Sequence, residues 1–166
     1  MNSNLLFDFS VNKESKTIHI KREFDANLEL VWQAWTTADL LEQWWAPKPC
    51  HIETKFLDLK VGGMWLYAMV SPKDEKMWCK ADYKAIESNK LLSWLDAFCD
   101  ENGIENNRKH SLWIIDFTEN NGVTTVSITL QHEKLEDIEM MIEMGFKEGF
   151  TLALENLDEF LLTLKK

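Results

Sequence analysis

The chain has 166 residues, 45% of them apolar and 28% charged, with a formal net charge of −10 at pH 7. That charge excludes nucleic acid as a partner, which needs a basic footprint, and equally an anionic membrane surface. No run approaches the roughly 20 apolar residues of a membrane span.

A chain of this length can bury about 70% of its unfolded surface. One domain over residues 1–166 therefore needs neither disulfide nor metal for its core. Cys50, Cys79 and Cys99 are an odd, widely spaced set without a C-x-x-C motif, which reads as reduced thiols in a cytoplasmic protein. The four histidines are scattered, so no metal site is expected, and no cofactor either. Residues 1–10 lack a basic n-region and a long apolar run, so no signal peptide is expected. Eight Trp and seven Met are the unusual entries. Trp fills cores, but its large ring with one N–H also lines ligand cavities and interfaces.

In chain order, residues 5–11 alternate loosely and predict a strand within an N-terminal extension over 1–15, followed by a turn at 12–15. Residues 17–24 alternate again and complete a hairpin. Asn27 can cap a helix with Leu28, Val31, Trp32 and Trp35 at helical spacing. Thr37 precedes a second short helical pattern through Leu40, Leu41, Trp44 and Trp45, which Pro47 and Pro49 end. Strands are predicted over 51–57, 63–70, 77–86, 91–98, 112–118 and 124–131, with turns at 62–63, 71–74, 87–89, 100–107 and 120–122. Short consecutive strands with tight turns make an antiparallel meander. After Leu135 an apolar stripe from Ile138 to Leu164 predicts a long amphipathic helix, and the meander is the partner for it. The fold class is α+β.

Three runs then carry a resemblance: KREFDANLELVWQAWTTADLLEQWWAPKPC (Lys21–Cys50), DLKVGGMWLYAMVSP (Asp58–Pro72) and EMGFKEGFTLALENLDEFL (Glu143–Leu161). From about Lys16 onward the chain resembles the SRPBCC, START-related superfamily. Within it, the chain is similar to the group of the C-terminal domain of the activator of the 90-kDa heat-shock protein ATPase. The resemblance implies a helix-grip fold: a curved antiparallel sheet gripping the long C-terminal helix, two short helices at one end, and a cavity between sheet and helix. The eukaryotic co-chaperone carries a separate N-terminal domain, for which these residues leave no room. Chaperone ATPase activation is therefore not carried over.

Strand parity puts Trp65, Tyr67 and Met69 on one face and Trp113, Ile115 and Phe117 on one face. Both sets are expected to face the helix. Gly145 and Gly149 stand four apart on the apolar stripe, each costing roughly 1 kcal/mol relative to Ala inside a helix. Such a pair suits either tight packing or room for a ligand beside Met141, Met144 and Phe146, whose flexible thioethers adapt to varied shapes. Trp44 and Trp45 either pin the short helices to the sheet or rim the opening. Asp96 and Asp116 interrupt apolar strands. Turned inward, either would be an acid–base candidate with a raised pKa, but the expected place for both is the solvent side. Lys80 and Asp82 are expected as a surface pair. No nucleophile motif, phosphate loop or His–carboxylate spacing is present.

The expected function is a non-catalytic binding domain that encloses a small apolar or amphipathic molecule. The alternatives are a protein-interaction or chaperone-linked module with a protein partner or a homodimer, and a cyclase- or hydrolase-like enzyme using a pocket carboxylate.

Overall fold

The computed structural model describes residues 6–105 and 110–164. Leu5 and the end of the 100–107 turn lie outside them. Twelve elements follow in order: β1 (Phe7–Asn12), β2 (Thr17–Phe24), α1 (Leu28–Thr36), α2 (Ala38–Leu41), β3 (His51–Leu57), β4 (Met64–Val70), β5 (Lys76–Glu87), β6 (Leu91–Phe98), β7 (Ser111–Asn120), β8 (Val123–His132), α3 (Leu135–Glu143) and α4 (Phe146–Leu164). The strands form one curved antiparallel sheet in the order β1-β2-β8-β7-β6-β5-β4-β3. This is the expected helix-grip arrangement, and the strand limits agree with the alternation to within two residues.

Local chemistry explains the joints. Asn27 Oδ1 accepts a hydrogen bond from the Leu30 N–H at 2.9 Å and so caps α1. Thr37, in extended backbone, ends α1 and opens α2. The helical pattern predicted through Trp45 stops at Leu41, and both tryptophans sit in the turns that follow. They leave the helix because each ring is held elsewhere: Trp44 Nε1 donates to the Ala34 carbonyl at 2.9 Å and Trp45 Nε1 to the Tyr67 hydroxyl at 3.1 Å.

The single C-terminal helix expected after Leu135 is two helices. Gly145 has φ +89°, a left-handed backbone that a side chain resists. Its N–H donates to the Ile142 carbonyl and that of Met144 to the Met140 carbonyl, closing α3 as a glycine at C′ does. Gly145 therefore breaks the helix, and only Gly149 lies within one. No helix among the described residues is long and apolar enough to cross a membrane.

Helix α4 buries Phe150, Ala153, Leu154, Leu157, Asp158 and Leu161. Asp158 faces Arg22 of β2, with Nη2 to Oδ2 at 3.9 Å, and the guanidinium also lies over the rings of Phe7 and Phe24.

Candidate functional site

The register fixes what the concave face carries. Tyr67 pairs with Cys79, Trp65 with Ala81, Ala81 with Asp96, Asp96 with Ser111, Trp94 with Trp113, and Ser111 with His132. Alternation then turns Trp65, Tyr67 and Met69 of β4 and Trp113, Ile115 and Phe117 of β7 to the helix side. Cys79, Ala81 and Tyr83 of β5 and Trp94 and Asp96 of β6 join them.

Rings fill the centre of this face. Trp45 is the hub: its centroid lies 5.2–6.0 Å from those of Trp35, Trp44, Trp65, Trp94, Trp113 and Phe150. Trp65 stacks on Tyr67 at 3.9 Å and Trp94 on Trp113 at 5.4 Å. Trp44 and Trp45 are buried, so they pin the short helices rather than rim an opening.

Towards the strand ends near the α3–α4 junction the packing thins. Met69, Met141, Gly145, Phe146 and Gly149 are half-buried, while Met77 and Phe98 are 51% and 44% exposed and Met144 is 75% exposed. Met144 thus points away from the core. A Cβ added at Gly145 or Gly149 would meet no atom within 4 Å, so neither glycine serves close packing. Phe146 reaches Trp113 and Phe150, with centroids 6.3 and 5.5 Å away.

Polar atoms at this end are only partly satisfied. His132 Nε2 is 2.8 Å from both Ser111 Oγ and Met141 Sδ. Its Nδ1, Trp113 Nε1 and Asp96 Oδ1 are buried without a hydrogen-bond partner. Burial lowers the His132 pKa, which keeps the ring neutral. It raises the Tyr67 hydroxyl and the Cys79 thiol well above their ordinary values, with Asp96 adding to both shifts.

Asp96 departs from the expectation of a solvent-side carboxylate. It shares the Trp94 face, and burial pushes its carboxyl up to about 7. It nevertheless keeps some accessible surface. Asp116 is exposed, as expected.

Lys80 also departs. Only 7% exposed, it is held on the opposite face of β5 between Asp82 (3.1 Å) and Glu105 (2.9 Å). Burial alone would lower its pKa, but the two carboxylates outweigh this and raise it. His110 closes on the same Glu105.

Sequence parity missed Trp94, Phe150, Ser111 and His132 as members of this face. The pairing of Trp94 with Trp113 was the signal that could have found the first. Two surface hollows lie elsewhere, about 350 Å³ beside Asn27, Glu29, Leu30, Gln33 and Leu164, and about 290 Å³ over Asp8, Ser10, His19, Lys21, Ser127 and Thr129. Both are wide open, so an apolar molecule there would stay largely in water, and neither adjoins the orphaned polar atoms. No cluster of three or more metal-ligating side chains occurs among the described residues.

Residues 25–161 match the family described as activator of Hsp90 ATPase homolog 1-like protein. Among solved structures, the chain is similar to protein Ms6760 of Mycobacterium smegmatis, at 27% identity and TM-score 0.85, over 95% of this chain and 96% of that one. It is similar to a protein of Arthrobacter aurescens at 27% identity and TM-score 0.88, over 94% and 91% of the two chains. Protein NE0264 of Nitrosomonas europaea follows at 26% identity and TM-score 0.81, over 91% and 97%. No curated protein matches the chain.

Proposed function

We propose that this chain, which belongs to the activator of Hsp90 ATPase homolog 1-like family, is a binding domain that encloses a small amphipathic molecule between the concave sheet and the α3–α4 junction. The observation that carries this reading is the set of orphaned polar atoms on adjacent strands, Asp96 Oδ1, Trp113 Nε1 and His132 Nδ1. A buried polar group without a partner costs roughly 1–3 kcal/mol, a cost that a ligand's polar end would remove. The ligand's apolar part lies along Trp94, Trp113 and Phe146, and Met69 and Met141 repack around it. The thiols of Cys50 and Cys79 form no disulfide, which suits a reducing compartment, and the protein acts in the cytoplasm.

Native mass spectrometry of gently purified protein tests this. The expected result is an excess mass that disappears on denaturation and that Gly149→Trp, which fills the open space, prevents. Protein that carries no small molecule and takes none up from a hydrophobic extract of its own cells would contradict the reading.

The half-buried Asp96, whose Oδ1 is buried without a hydrogen-bond partner, favours a second reading, proton exchange with the bound molecule in an enzymatic step. Wild type and Asp96→Asn would then release molecules of different mass. Identical molecules refute it.

A further inference from the structure

We propose that Asp96 is the recognition point for the cationic head of an apolar amine, whose hydrocarbon part lies against Trp94, Trp113 and the methionines at the open end of the groove. This rests on the enclosure reading above and names the class of ligand.

The first argument is the acceptor itself. Asp96 Oδ1 is buried with no hydrogen-bond partner, although its backbone is fixed in register with Ala81 on one side and Ser111 on the other. A carboxylate so placed is satisfied by a donor, and best by a charged one, because charge-assisted hydrogen bonds are roughly twice as strong as neutral ones.

The second argument is the sign of the wall. Among the described residues, alternation turns Trp65, Tyr67 and Met69 of β4, Met77, Cys79, Ala81 and Tyr83 of β5, and Leu92, Trp94, Asp96 and Phe98 of β6 to this face. No Lys or Arg is among them, and Lys80, the buried lysine of β5, is committed to Asp82 and Glu105 on the other face. On these three strands an anionic head would therefore meet one acidic group and no cation, and Arg22 of β2, on the same face, is engaged with Asp158 of α4. A neutral hydroxyl would gain a hydrogen bond but no charge pairing.

The third argument is the rings. Tryptophan faces attract cations, more strongly when the site is desolvated. Trp94, two residues before Asp96 on the same face of β6, stacks on Trp113 of β7, and Trp65, in register with Asp96 across Ala81, stacks on Tyr67. A net charge of −10 also draws cations towards the molecule.

The test titrates decylamine, 1-decanol and sodium decanoate, each below its aggregation concentration, into the full chain by calorimetry at pH 8.5. Decylamine is expected to bind at least about tenfold tighter than the other two. In Asp96→Asn the amine-to-alcohol ratio falls to within about threefold. The wild type also supplies a pH profile that needs no variant. An alkyl amine stays charged from pH 5.5 to 8.5, as a lysine does (about 10.4). Its affinity is therefore expected to fall about tenfold as Asp96 takes up a proton, while that of 1-decanol does not fall. The titratable groups facing Asp96 are Tyr67 on β4 and Cys79 on β5, with Cys99 beyond β6 and His132 two strands away. Burial keeps the hydroxyl and both thiols protonated over this range and the imidazole neutral over most of it.

Equal or tighter binding of 1-decanol or decanoate by the wild type overturns the amine assignment and leaves enclosure standing. An amine preference that survives Asp96→Asn is surface attraction and also overturns it. Saturable binding of none of the three overturns enclosure and this inference together.

Discussion

Replacing Asp96 by Asn should remove a pH-dependent destabilisation that the wild type carries. Burial raises the carboxyl from 3.8 to about 7, so the folded state holds a proton that the unfolded state has already released. Above the unfolded pKa the folded protein then binds more protons than the unfolded one, and stability falls as pH rises. The loss begins near pH 4 and is complete just above 7. Roughly three pH units at about 1.4 kcal/mol each give about 4 kcal/mol as its full size. Every other carboxylate is common to both proteins and cancels in the difference. Urea unfolding of wild type and Asp96→Asn at pH 4, 5.5, 7 and 8.5 measures it. The variant should gain on the wild type by about 4 kcal/mol between the first and last points. A difference that stays flat across the series would mean that Asp96 ionises in water, and the inward placement would be wrong.

The two glycines of the α3–α4 region should respond in opposite directions. Gly145→Ala forces a side chain into φ +89° and should cost about 1 kcal/mol, whereas Gly149→Ala adds a methyl where no atom lies within 4 Å and should gain up to about 1 kcal/mol. Chemical denaturation of both reads the signs, and a loss at Gly149 would show that position to be packed. Asp158→Asn should cost about 3 kcal/mol, because it takes the paired carboxylate from the buried Arg22 guanidinium and leaves it the ring contacts and the charge of Glu155. The double variant Arg22→Met, Asp158→Leu should recover most of that loss in the same assay.

Strand limits were legible because alternation with a period of two and turn residues such as Asn120-Asn121-Gly122 bracket each strand. The α1 cap was equally legible, since Asn27 precedes its apolar stripe. The break at Gly145 was not, because the apolar spacing runs through it and a glycine within a stripe reads the same whether the helix continues or stops. Asp96 failed for a different reason. A charge normally marks a strand's wet face, but Ser93 and Ala97, on the opposite face of β6, are buried too, so that strand has no wet face for it. Lys80 was misread in the same way: its partner Glu105 lies 25 residues further along, beyond any local pattern. The aromatic hub at Trp45 draws its contacts from α1, β4, β6, β7 and α4, which only the assembled sheet brings together.

The indole N–H signals of the eight tryptophans, followed by two-dimensional nitrogen–proton NMR during a decylamine titration, test the enclosure claim most directly. Trp94 and Trp113 should shift saturably, while Trp78, which β5 turns to the opposite face, stays in place. Shifts at Trp78 as large as those at Trp94 and Trp113, or none at either of these two, would contradict a ligand held within the concave face.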